Sequence, residues 1–210
     1  MLSTHKNILS RIKKLPPGEL VFPTDFRGLG SEAAIKMAMS RLVKEKKFER
    51  IAHGIYLIPR TDPLLGKLHP SLESIAQAIA EREHVRIRPA GAYALNKLGL
   101  STQVPMKLVY ITDGAPRQIR IGKGGIKFKA TTPKRLSLKG KISSLVIQAL
   151  DELGLKAIDD EMKRKIQLLL EKENTKDLKA DIKLAPAWIN DFIYSLQIKQ
   201  SNNGTMAPIK

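Results

Sequence analysis

The chain has 210 residues, and 37 Lys+Arg against 20 Asp+Glu leave it a formal charge of +17. It has no cysteine, which excludes a disulfide scaffold, a thiolate metal site and a cysteine nucleophile, and fits a reducing, cytoplasmic setting. At 42% hydrophobic it is too apolar to be disordered, yet no uncharged apolar run approaches the ~18 residues of a membrane span, and Met1–Lys14 lacks the apolar stretch of a secretory signal.

Ile8, Leu9, Ile12 and Leu15 recur at helical spacing and predict a first helix over Lys6–Leu15, stopped by Pro16-Pro17-Gly18. Leu20–Phe22 can form one strand. Thr24 is placed to cap a brief helix through Asp25-Phe26-Arg27, which Gly28-Leu29-Gly30 ends. Ser31 caps a long helix over residues 32–47. Two β-like runs follow, Glu49–Ala52 and Ile55–Ile58, joined by the two-residue turn His53-Gly54. Helix, short strand, helix, tight turn, helix and hairpin is the order of a winged helix-turn-helix.

Residues 61–70, with Pro63, Pro70 and Gly66, read as a linker. Ser71 caps a helix whose stripe is Leu72, Ile75, Ala76 and Ile79. A short strand at Val85–Ile87, a helix from Gly91 to Leu98 and strands at Lys107–Thr112, Gln118–Ile121 and Ile126–Thr131 complete a small α+β unit to residue 140. Beyond it the period is helical again, with helices expected at 143–153, 160–172, 175–182 and 187–196 and a disordered tail over 199–210. The fold class is therefore α+β: a winged helix-turn-helix at 1–60, a mixed α+β middle domain at 71–140 and a helical region at 141–198.

The charge is divided along the same lines. Residues 1–60 hold twelve basic and five acidic residues, 61–145 hold fifteen and five, and 146–210 hold ten of each. On the 31–47 helix, Ile35, Ala38, Met39, Leu42 and Val43 share one face. Lys36, Met37, Ser40, Arg41, Lys44 and Lys47 share the other, with small or uncharged residues at its centre and cations at its margins. That layout suits a DNA major groove, with Lys36, Met37 and Ser40 near bases, Arg41, Lys44 and Lys47 nearer phosphate, the cap Ser31 also among the DNA-binding candidates, and Arg50, His53 and Arg60 on the wing. A second basic surface is expected from Arg86, Arg88, Arg117, Arg120, Lys127 and Lys129, the last three alternating with apolar residues along two strands. It would extend a DNA footprint, or meet an acidic protein surface or another nucleic acid such as tRNA. On the last predicted helix Trp188, Phe192 and Leu196 recur at helical spacing, as core or as a partner surface.

Two runs carry a family likeness. Leu42-Val43-Lys44 with Phe48–Tyr56 resembles the wing of AbiEi-type antitoxins of type IV toxin–antitoxin (abortive infection) systems. Gly91–Pro105 resembles the segment that follows it there, and Leu184–Ile189 is a weaker third match. The resemblance implies a transcriptional autoregulator that binds operator repeats in double-stranded DNA and counters a nucleotidyltransferase toxin; inverted repeats would be met by a homodimer. The alternative is a nucleic-acid- or protein-binding accessory module without a toxin partner, its winged helix serving as scaffold.

No catalytic residue, cofactor or metal is expected. His5, His53, His69 and His84 have no ligand spacing. Gly122-Lys123-Gly124-Gly125 reads as a hairpin turn, and Gly140-Lys141-Ile142-Ser143 resembles a phosphate loop only superficially, because the upstream glycine is missing. Asp159-Asp160-Glu161 reads as the acidic first turn of a helix.

Overall fold

A computed structural model describes residues 3–203. The chain is α+β with a helical C-terminal region, and it divides into two compact units. The first comprises residues 1–82 and 119–125, and the second residues 83–118 and 126–210.

In the first unit, helix α1 (Thr4–Ile12) starts where the Ser3 hydroxyl accepts the Lys6 N–H. Strand β1 (Leu20–Val21) follows, and then a 3-10 turn, Pro23–Phe26. Thr24 lies inside this turn and does not cap it; the Asp25 carboxylate accepts the Phe22 N–H at 2.6 Å instead. Helix α2 (Glu32–Lys44) is capped as expected by Ser31, whose hydroxyl accepts the Ala34 N–H at 3.2 Å. It ends three residues earlier than its periodicity predicts, because Lys46 turns the chain at φ +58°. The amides of Lys47 and Phe48 then close back on the Leu42 carbonyl.

Strands β2 (Glu49–Ala52) and β3 (Ile55–Leu57) make a sheet with β1 in the order β1-β3-β2, all pairs antiparallel. Pairing skips one residue between Arg50 and Ala52, a bulge at Ile51. Ile8, Phe26, Ile35, Met39, Leu42, Phe48 and Tyr56 form the core of this unit. The Phe48 ring lies 6.3 Å from that of Phe26 and 5.8 Å from that of Tyr56, the spacing of tilted aromatic pairs.

The segment expected as a linker is instead a hairpin, β4 (Arg60–Asp62) with β5 (Gly66–Leu68). Helix α3 (Leu72–Glu83) follows, and the first unit includes it up to Arg82. Arg82 is bound there by an ion pair to Asp25 and by hydrogen bonds to the Thr24 hydroxyl.

The second unit opens with β6, which runs Ile87–Ala90, later than the expected 85–87. Its register, Ile87 opposite Thr112 to Ala90 opposite Val109, is antiparallel to β7 (Lys107–Thr112). Helix α4 (Gly91–Lys97) lies between them in sequence. Strands β8 (Arg117–Ile121) and β9 (Gly124–Ala130), whose residues 119–125 count with the first unit, complete a sheet ordered β6-β7-β9-β8. Their turn is Gly122-Lys123, not the later glycines. A short helix, α5 (Pro133–Leu136), had no periodic signal.

Helices α6 (Ser143–Leu153), α7 (Asp160–Leu170), α8 (Thr175–Leu184) and α9 (Ala187–Asn203) form the helical region. Val146, Leu150, Ile166, Ile182, Ile189 and Ile193 are buried together at its centre. Phe192 and Leu196 join this core and Trp188 packs partly buried against it, so the aromatic stripe faces inward. Helix α9 continues past the expected 196; the rest of the expected tail, 204–210, lies outside the described residues.

Candidate nucleic-acid interface

Helix α2 divides by burial as its periodicity requires. Ile35, Ala38, Met39 and Leu42 are buried. Ser31, Lys36, Met37, Ser40, Arg41 and Lys44 are exposed, and Met37 keeps 59% of its surface in solvent. The exposed face thus has a small hydroxyl and a flexible thioether at its middle and cations on either side.

Its charges are not equal. Lys36 donates to the Glu32 carboxylate one turn back, at 2.5 Å, and that bond holds the Glu32 carboxyl below its usual pKa. Arg41 and Lys44 make no ion pair among the described residues. Ser31 caps the helix with its hydroxyl, which leaves its lone pairs only partly available. Lys47 lies outside the helix, in the turn before β2, and is exposed.

On the β2–β3 hairpin, Arg50 within β2 and His53 in the turn are both exposed, and a guanidinium nitrogen of Arg50 lies 3.0 Å from His53 Nδ1. Arg60 departs from expectation. It begins β4, opposite Leu68, outside the three-stranded sheet, and its side-chain carbons run beside Gly18.

The second basic surface resolves into used and unused cations. Arg86 donates to the Asp113 carboxylate at 2.8 Å, and this bond holds the Asp113 carboxyl below its usual range. Arg88 is half-buried and donates to the carbonyls of Leu136 and Leu138; burial lowers its pKa, which the Asp181 carboxylate partly offsets. Arg117 pairs with Glu83 at 2.5 Å and lies 5.6 Å over the Phe128 ring. These three arginines hold the fold. Arg120 on β8 and Lys127 and Lys129 on β9 stay exposed, without an ion pair among the described residues, while Ile126 and Phe128 between them are buried.

The start of α6 holds a polar cluster that sequence reasoning missed. Asp181, fully buried on α8, accepts the N–H of Lys139 at 2.7 Å, the N–H of Gly140 at 2.9 Å and the Ser143 hydroxyl at 2.6 Å. Glu173 accepts the N–H groups of Ile142 and Ser143 at 2.6 and 2.8 Å. A Cβ at Gly140 would collide with Ser143 and Glu173, so the glycine is there for close approach. The amides that make a helix start attractive to phosphate are therefore filled by the chain's own carboxylates. Nothing in the spacing of Asp181, forty residues downstream, could have announced this.

Among the described residues no group of three or more His, Asp or Glu could hold a metal ion, and no helix is long and apolar enough to cross a membrane. No curated protein matches the chain. Residues 7–178 match one family, so both units are represented in it: the chain belongs to the Family of unknown function (DUF6088).

Proposed function

We propose that residues 1–60 act as a winged helix-turn-helix on duplex DNA and that the protein is a transcriptional autoregulator of its own operon, working by binding and without a catalytic group. The observation that carries this reading is the outward face of α2. It sets Met37 and Ser40 between Lys36 and the unpaired Arg41 and Lys44, with Arg50 and His53 of the β2–β3 hairpin in the same unit. Short and flexible side chains at the centre allow close approach to base edges, and the cations at the margins neutralise phosphates. The antitoxin part of the reading is supported by the resemblance of Phe48–Tyr56 and Gly91–Pro105 to AbiEi-type antitoxins. It assigns the second unit to countering a nucleotidyltransferase toxin in the cytoplasm.

A gel shift with the DNA upstream of its own gene tests the first part. Lys36→Ala, Arg41→Ala and Lys44→Ala together are expected to weaken binding and to lower the salt slope by roughly 2 to 3. Glu32→Gln, which frees Lys36, is expected to tighten it at low salt. Unchanged binding by the triple variant overturns the reading. For the second part, the neighbouring reading frame is expressed with and without this chain: arrest of growth relieved by the chain supports it, and no arrest overturns it.

A further inference from the structure

The β4–β5 hairpin ends in Leu64 and Leu65, which are 95% and 76% exposed. Large apolar side chains left adjacent in water at a turn are unusual, and the turn holding them is not loose. Asp62 Oδ1 accepts the N–H of Leu64 at 2.8 Å and that of Leu65 at 3.0 Å. Pro63 restricts φ within the loop, and Gly66 closes it at φ +72°. The base of the hairpin is tied as well: His69 Nε2 lies 2.6 Å from Glu49 Oε1, at the start of β2 and only a few residues beyond the cationic end of α2. Arg60 and Lys67, on the two strands, are exposed and free of salt bridges among the described residues.

We propose that this hairpin is a minor-groove wedge, with Leu64 and Leu65 entering between base steps of bound duplex DNA and Arg60 and Lys67 on the flanking phosphates. The inference rests on the DNA-binding reading and adds to it a second contact and a bent DNA. Charge selects the partner. The unit that carries the hairpin holds sixteen Lys+Arg against eight Asp+Glu, and the Asp62 charge is engaged by the tip amides. Shape agrees with it, since a two-stranded turn fits a groove about 6 Å wide that excludes a helix. Two leucines are too little apolar surface to anchor a chain to a bilayer. A stable protein interface needs ~1,200 Å² or more, whereas the only other large exposed hydrophobic described in this unit is Met37. Apolar wedges act by unstacking a step and kinking the duplex, most easily at flexible pyrimidine–purine steps.

The test uses the full chain and a duplex from upstream of its gene, labelled at both ends so that energy transfer reports the end-to-end distance. Wild type is expected to shorten that distance. Leu64→Ala with Leu65→Ala is expected to leave the DNA straight and bind it roughly tenfold more weakly at an unchanged salt slope, since no phosphate contact is lost. Leu64→Phe is expected to keep the bend. Both leucines are exposed, so neither change threatens the fold. Binding by wild type without bending, or bending by the double alanine variant, overturns the wedge. In either case the DNA-binding reading stands if the α2 triple variant still loses affinity. Failure of wild type to bind any duplex overturns both, and leucine-dependent binding to phosphatidylglycerol vesicles in place of DNA reassigns the tip to a membrane and overturns the wedge.

Discussion

Asp181→Ala is the sharpest test of what holds the second unit together. The carboxylate is fully buried and is the acceptor for two amides, those of Lys139 and Gly140, and for the Ser143 hydroxyl. Alanine would leave both amides unpaired, while the hydroxyl would keep Glu173 at 3.3 Å. An unsatisfied buried amide costs about 1–3 kcal/mol, so the buried Gly140 amide and the part-buried Lys139 amide together give a loss of at most about 6 kcal/mol, with about 2 kcal/mol as the floor. The half-buried Arg88 cation would also lose a favourable charge, which pushes the loss toward the upper end. Asp181→Asn keeps one acceptor oxygen and the shape, and is expected to lose about half as much. Trp188, the only tryptophan, packs against the core that Asp181 serves, so urea unfolding followed by its fluorescence reports this unit. A loss below about 1 kcal/mol for Asp181→Ala, or an asparagine variant as damaged as the alanine one, refutes the account.

Replacing Arg120, Lys127 and Lys129 together by alanine is expected to lower the salt slope of DNA binding by roughly 2 to 3 if the sheet contacts phosphate. Arg86→Ala, whose cation is already paired with Asp113, should leave that slope alone, and equal slopes for all proteins would remove the sheet from the footprint. Acid provides another check. Burial raises the Glu173 pKa, but the N–H groups of Ser143, Ile142 and Asn174 outweigh it and hold the carboxyl below its ordinary 4.5. Its contribution to stability is therefore present above that value and is lost as pH falls through the lower, folded pKa. Glu173→Gln should flatten the fall in Trp188-reported stability below pH 4.5, and an unaltered profile would refute this.

The elements of α2 and of the sheet strands were legible because each carried its own local signal. Ser31 marks where α2 begins, and the alternation Ile126-Lys127-Phe128-Lys129 marks both faces of β9. The β4–β5 hairpin was not legible, because Pro63 and Gly66 read equally well as linker punctuation; the decisive Asp62 bonds to the tip amides add nothing to periodicity. For the site, exposure on α2 followed from helical geometry. The fates of the cations did not. Arg86, Arg88 and Arg117 look the same in sequence as Arg120, yet partners 27, 48 and 34 residues away engage the first three. Long-range pairing of that kind leaves no spacing to read.

The bulge at Ile51 governs what the outer edge of the three-stranded sheet can accept. β2 is an edge strand, and a regular one would offer an unbroken row of amides and carbonyls to a second chain. The skipped pairing between Arg50 and Ala52 breaks that row, and the exposed Arg50 guanidinium next to the break opposes its like in any incoming copy. Strand-to-strand association along β2 is thereby blocked. The first unit, which holds sixteen Lys+Arg against eight Asp+Glu, is in this way kept from extending its three-stranded sheet into a second copy through β2.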